Sequence, residues 1–322
     1  MPDDQRDHAR GRDAARPQDI PARGWWDVVR RSWQEISDNS MFLIAGGVTY
    51  SILLALFPAL AALVSIYGLV LDAGQIEHQV DALGSVLPEQ SRQMLGSELH
   101  QLASSSNSAL SFSAVLALLL ALWTASRGMS GLMTALDIAY EQKESRSFFR
   151  FNLMALVLTI GGIVGGIIAI ALVAVLPAAV EFIGLGATTK WILLIVEWPL
   201  LMVLVTVGLA MLYRYGPDRR EPQWRWTSPG AITATVLWIV ASIAFTTYVA
   251  NFGSYDKTYG SLGGVVVLLT WLYLSAFVVL LGAIINAQAE EQTARDSTTG
   301  DEKPLGRRGA RAADTVAPSP GE

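Results

Sequence analysis

The sequence predicts an all-α integral membrane protein: a six-transmembrane-helix bundle with an N-terminal interfacial amphipathic helix and both termini cytoplasmic. Three observations predict it. Of 322 residues, 52% are hydrophobic and 16% charged, against about 25% charged in typical soluble domains. Charge is absent from Met41–Leu71, Gln101–Ser126, Phe151–Val180, Trp226–Tyr255 and Thr258–Ala289, and Trp191–Tyr213 holds only Glu197. Each run offers the ~20 apolar residues that a spanning helix needs, with its backbone satisfied internally as lipid requires. Finally, Lys and Arg alternate in the intervening segments as 7, 1, 4, 1, 4, 1 and 5 from the N-terminus, the poor segments holding only Arg92, Lys190 and Lys257. Positive residues stay cytoplasmic, so the number of spans is even and both ends are inside.

The elements follow in order. Residues 1–24 mix Arg with Asp around Pro17 and Pro21 and read as a disordered cytoplasmic tail. The first hydrophobic run starts only at Met41, so no cleavable signal peptide is expected. Within 25–40, Trp25, Trp26, Val29, Trp33 and Ile36 recur at helical spacing while Arg30, Arg31, Gln34 and Glu35 occupy other faces. That pattern suits a helix lying in the cytoplasmic interface. The membrane domain, 41–291, has spans at roughly 45–70, 108–126, 151–176, 191–213, 230–250 and 262–286. In the first, Pro58 removes one backbone hydrogen bond and either hinges the helix or shapes its packing. The outer segment 72–107 carries Ile76, Val80 and Leu83, then Leu95, Leu99 and Leu102, on either side of Pro88. It reads as two short amphipathic helices, a lid or a structural cover.

The second span continues past the membrane with a polar stripe, Arg127, Ser130, Thr134, Asp137 and Glu141, opposite Met129, Leu132, Met133, Leu136 and Tyr140. Arg127 follows Trp123 and is expected to snorkel to the interface. The third span holds Gly161, Gly162, Gly165 and Gly166, overlapping small-xxx-small pairs that predict close helix contact. Gly264 adds a packing glycine to the last span. Glu197 is either a functional charge within the bilayer or an interfacial one near a helix N-terminus. Pro199, read as part of a first helical turn, favours the interface. Residues 292–322 read as a second disordered cytoplasmic tail, with Arg307, Arg308 and Arg311 forming a basic cluster on a spacer.

Chemistry is sparse. There is no cysteine and there are three histidines, His8, His78 and His100, none of them in a cluster. No HExxH, CxxC, GxSxG or Walker-type motif occurs, so no catalytic residue, metal site or cofactor is expected and an enzyme is not predicted. The candidate substrate-path or gating residues are Tyr50, Pro58, Arg127, Glu197, Tyr213, Tyr255, Tyr259, Gly260 and Asn286. The tyrosines between Tyr248 and Gly260 form either an aromatic belt or a receptor for an amphiphile entering from the leaflet.

The stretch Tyr259-Gly260-Ser261-Leu262-Gly263-Gly264, then Trp271-Leu272-Tyr273, Leu281-Gly282-Ala283 and Asn286, resembles the last span of the YihY/BrkB family. Tyr213-Arg214-Tyr215-Gly216-Pro217-Asp218 followed by Pro229-Gly230-Ala231 is similar to that family's fourth-to-fifth connection. Ala45 to Pro58 resembles its first span and Trp123 to Tyr140 the end of its second. The resemblance covers roughly residues 25–290 and implies a six-span bacterial inner-membrane protein. It also implies the ribonuclease and virulence-factor labels that some members carry, and a link to envelope lipid export. The matching motifs hold no metal-ligand or acid–base set, which argues against a nuclease. The family often has Gly-Ala-Glu where this chain has Gly282-Ala283-Ile284, which counts against a mechanism needing that carboxylate. The resulting expectation is transport or flipping of an amphiphilic, lipid-like envelope component. Its partners would be membrane lipids and an amphiphilic substrate, with no nucleic acid. A non-transporting scaffold or regulator of envelope assembly is the alternative. No motif specifies substrate, coupling ion or oligomeric state.

Overall fold

The apolar runs become helices in the computed structural model, which describes residues 9–70, 107–175, 187–251 and 261–318. In chain order these are α1 (Ala22–Asp38), α2 (Met41–Val70), α3 (Asn107–Ala139), α4 (Phe148–Ile170), α5 (Ala187–Tyr215), α6 (Trp224–Asn251), α7 (Ser261–Glu290) and the short α8 (Arg311–Asp314). A π-helical turn, Ala171–Val175, extends α4. Among the described residues there is no strand, only an isolated bridge between Pro222 and Thr298.

Among the described residues four segments are long and apolar enough to cross a membrane: Phe148–Val173, Val196–Tyr215, Trp224–Val249 and Gly263–Glu290. A fifth results if α1 and the start of α2, bent by 68°, count as one broken span. Helices α2 and α3, 30 and 33 residues long, occupy the places of the first two expected spans. The outer segment 72–106 lies outside the described residues, as do Tyr255, Tyr259 and Gly260.

The α1–α2 break has a local cause. Asp38, Asn39 and Ser40 are residues whose side chains compete for backbone groups, and Ser40 takes a φ of 52° that no continuous helix accommodates.

Two compact units divide the chain, Ser51–Gly128 and the remainder. In the first, Gly128 packs closely: a Cβ there would lie 3.4 Å from the Ala55 Cβ and 3.5 Å from the Ser51 carbonyl oxygen. In the second, α6 and α7 run antiparallel, since Gly230 meets Gly282 while further along Trp238 Nε1 donates to Ser275 Oγ at 3.0 Å. Small buried residues (Ala231, Ala234, Ala276, Ala283) line the α6 and α7 faces, letting backbones approach as lipid-embedded helices require. Helix α5 joins α6 through the Thr206 and Thr235 hydroxyls, 3.0 Å apart, and α4 packs on α5.

Three expectations are corrected. The close contact expected at Gly161, Gly162, Gly165, Gly166 and Gly264 is not made: among the described residues nothing lies within 4 Å of a Cβ at any of them. The buried residues of α4, Asn152, Ala155 and Thr159, stop before the first glycine. Close approach belongs instead to Gly230 and Gly282. Secondly, α5 starts at Ala187 and contains Pro199 in its interior, so Pro199 is not a first-turn residue. Glu197, 7% exposed, is buried within that helix rather than sitting at its N-terminus.

The tails are the third correction, because their described parts, 9–21 and 292–318, are folded. Ala14, Ile20 and Trp226 form a buried cluster against which Trp25 packs. The Ala294 N–H donates to the Arg12 carbonyl at 2.8 Å, and the Thr293 hydroxyl to the Ala14 carbonyl at 2.8 Å. Arg308 is 4% exposed and donates to the carbonyls of Ala294, Arg295, Lys303 and Ala313. A guanidinium carries enough donors to gather a loop with little apolar content.

Candidate functional site

Polar residues concentrate where α5, α6 and α7 converge near the termini. Pro229 lies inside α6 and cannot donate to its ladder. Asn286 supplies polar partners beside it: its Oδ1 accepts the Gly230 N–H at 2.7 Å and its Nδ2 donates to the Thr227 carbonyl at 3.1 Å. Asn286 is fully buried, as is Tyr213, whose hydroxyl donates to the Val279 carbonyl at 2.8 Å. A Cβ at Gly282 would run into both that hydroxyl and the Gly230 carbonyl. Two sequence candidates, Tyr213 and Asn286, are thus brought into one junction whose third member is a pair of glycines.

The junction continues into ion pairs. Arg219 and Glu290 meet at 2.6 Å with both side chains at 0% exposure. The Arg219 guanidinium also lies 4.5 Å from the Tyr140 ring centroid, and Ser297 Oγ donates to Glu290 at 2.6 Å. Arg146 pairs with Glu144 at 2.6 Å and lies 3.7 Å from both Asp137 and Asp218. Burial pushes the Asp137 carboxyl up to about 7, against the lowering effect of the Asp218 N–H it accepts. The carboxyls of Glu35 and Glu291 both lie near Glu141. Burial first, then Glu141, raises Glu291 to about 7, and the same two causes raise Glu35. Arg311 pairs with Glu141 at 2.5 Å. Among the described residues no group of three or more His, Cys, Asp or Glu could hold a metal.

A second feature lies on the side of this end. Helix α1 turns Val28 and Ile36 inward but leaves Trp26 69% and Trp33 71% exposed. Arg31 anchors it, donating to Gln288 Oε1 and Gln292 Oε1, both at 2.7 Å. Between the outer face of α1 and the flanks of α6 and α7 runs a groove of about 640 Å³, walled by Val29, Trp33, Phe277, Leu281 and Ile285 and reaching Thr233. That volume lies within the ~300–1,000 Å³ typical of small-molecule sites.

The other candidates are scattered. Tyr50 is 62% exposed, and Pro58 lies inside α2. Arg127 stacks on the Trp123 ring at 4.6 Å. Sequence reading missed Arg219, Glu290, Arg146 and the groove. The available signal was the cluster of arginines 214–225 directly beside a chain of small residues in the neighbouring span.

Long apolar helices with a polar, ion-paired end and an apolar flank define a helical membrane protein. The chain matches the family model described as virulence factor BrkB over residues 32–305, and it belongs to that family. It is 32% identical to the ribonuclease-like protein YfkH of Bacillus subtilis over 247 residues, 74% of this chain and 86% of that protein. It is 26% identical to a UPF0761 membrane protein, PSHAa0171, of Pseudoalteromonas translucida over 85% of this chain and 88% of that one. With the UPF0761 membrane protein NTHI0384 of Haemophilus influenzae it shares 23% identity over 80% and 93% of the two chains. No solved structure matches the chain.

Proposed function

We propose that the chain is a six-span protein of the bacterial inner membrane with both termini cytoplasmic. In this reading it moves or flips an amphiphilic, lipid-like envelope component between leaflets and is not an enzyme; the ribonuclease-like name belongs to YfkH. The observation that carries the reading is the groove beside α1, open toward the exposed Trp26 and Trp33. An amphiphile entering from a leaflet needs a lateral opening with apolar walls and a polar end, and tryptophans mark headgroup level. The 7-1-4-1-4-1-5 distribution of Lys and Arg supports the orientation.

The alternative, a scaffold for envelope assembly, draws on the stitched terminal segments, which build a folded platform at the cytoplasmic side. Purified full-length protein in liposomes with one leaflet fluorescently labelled separates the two. Protein-dependent leaflet exchange well above that of empty vesicles is the expected result. Exchange indistinguishable from empty vesicles, with folded protein recovered, would remove transport and leave the scaffold.

A further inference from the structure

The groove beside α1 has more chemistry than a packing defect. Trp26, Arg30 and Trp33 recur at i, i+4 and i+7 and so share one face of the helix. Arg31, one residue on, is turned the other way, onto Gln288 and Gln292. Among the described residues lining the groove, Arg30 is the one that carries a charge. The site is therefore apolar along its length and positive at its mouth.

Ser32 provides an independent observation. It lines the groove at 3% exposure, and its hydroxyl has no hydrogen-bond partner among the described residues. A serine inside a helix commonly returns its proton to the carbonyl four residues back, and a buried hydroxyl without any partner is costly. An acceptor brought by a ligand would satisfy it.

We propose that the groove is a binding site for one anionic phospholipid of the cytoplasmic leaflet. An acyl chain lies between Trp33 and the α7 residues Phe277, Leu281 and Ile285. The phosphate sits at Arg30, and the Ser32 hydroxyl donates to an ester carbonyl. The assignment rests on the membrane orientation given under the proposed function and names the class of amphiphile that this site takes. A zwitterionic lipid fits the walls equally well but gains less at Arg30, since a basic residue near the surface favours net negative charge.

The test uses the full-length protein, exchanged from mixed phosphatidylglycerol and phosphatidylcholine into detergent, with retained lipid counted by native mass spectrometry. One retained phosphatidylglycerol per chain is expected, in preference to phosphatidylcholine. Arg30→Gln is expected to weaken the preference about five-fold, while Arg23→Gln, an exposed change on α1 away from the groove, leaves it intact. Ser32→Ala is expected to reduce total retention without unfolding the protein. Equal retention of both lipids, or a preference untouched by Arg30→Gln, overturns the site. Selective retention without leaflet exchange supports the site and ends the transport reading. Exchange without a retained phosphatidylglycerol ends the site and leaves transport standing.

Discussion

Arg219 and Glu290 place opposite charges 2.6 Å apart with neither side chain touching solvent. Desolvating two ions costs several kcal/mol each, and their attraction offsets this only while both are present. Removing one therefore strands the other. Arg219→Met or Glu290→Leu alone is expected to lower stability by about 3–5 kcal/mol, whereas the double variant should lose far less than the sum. Thermal unfolding of all four proteins in detergent measures this, and additive losses would show that the two charges do not depend on each other. Neither residue stands out in the sequence, because a lone Arg and a lone Glu flanking apolar runs look like ordinary interfacial charges. Tyr213 and Asn286 were legible as polar groups in apolar surroundings. Their hydrogen bonds help hold α5, α6 and α7 together. Pro199 was misplaced for a physical reason: a proline fits a first helical turn and a helix interior equally well, and only the chain upstream decides.

At the level of elements, helix positions were readable because lipid forces apolar runs of fixed length, and α4, α5, α6 and α7 fall close to the expected spans. What periodicity could not reveal is which small residues face a neighbour. Glycine lowers the local bulk of any helix, yet whether a second backbone arrives depends on the partner's own surface. At the α4 glycines nothing described arrives, whereas on α6 and α7 Gly230 and Gly282 are pressed together. Gly230→Ala is accordingly expected to cost about 1–3 kcal/mol through overpacking against the Gly282 carbonyl and Asn286. Gly162→Ala should change stability by less than about 0.5 kcal/mol. Parallel melting curves of the two variants decide it, and equal losses would place a partner against α4. The terminal segments were unreadable for a related reason. Their polar, apolar-poor composition resembles disorder, but their order comes from backbone carbonyls gathered by Arg308 and from stitching between residues 10–14 and 292–294, contacts that leave no periodic trace.

At the level of the whole molecule, the spans and their direction are coupled by charge. If α2 to α7 each cross once, Arg92, Lys190 and Lys257 share one side, and the remaining basic residues, including Lys143 and Lys303, share the other. The folded platform sharpens this, because residues 9–21, the segment after α3, the α5–α6 connection and the stretch after α7 are mutually bonded and so must lie on one side together. That bonding requires an even number of crossings between each pair of these segments, whichever way the protein is inserted. In the proposed orientation the basic residues put that side in the cytoplasm. Because the chain has no cysteine, single cysteines can be introduced without background. Cysteines replacing Lys143 or Lys303 in intact cells should react with a permeant maleimide and resist an impermeant one. Cysteines replacing Arg92, Lys190 or Lys257 should react with both. Labelling of Lys143→Cys by the impermeant reagent would invert the orientation, and labelling that separates Lys143 from Lys303 would break the six-span count itself.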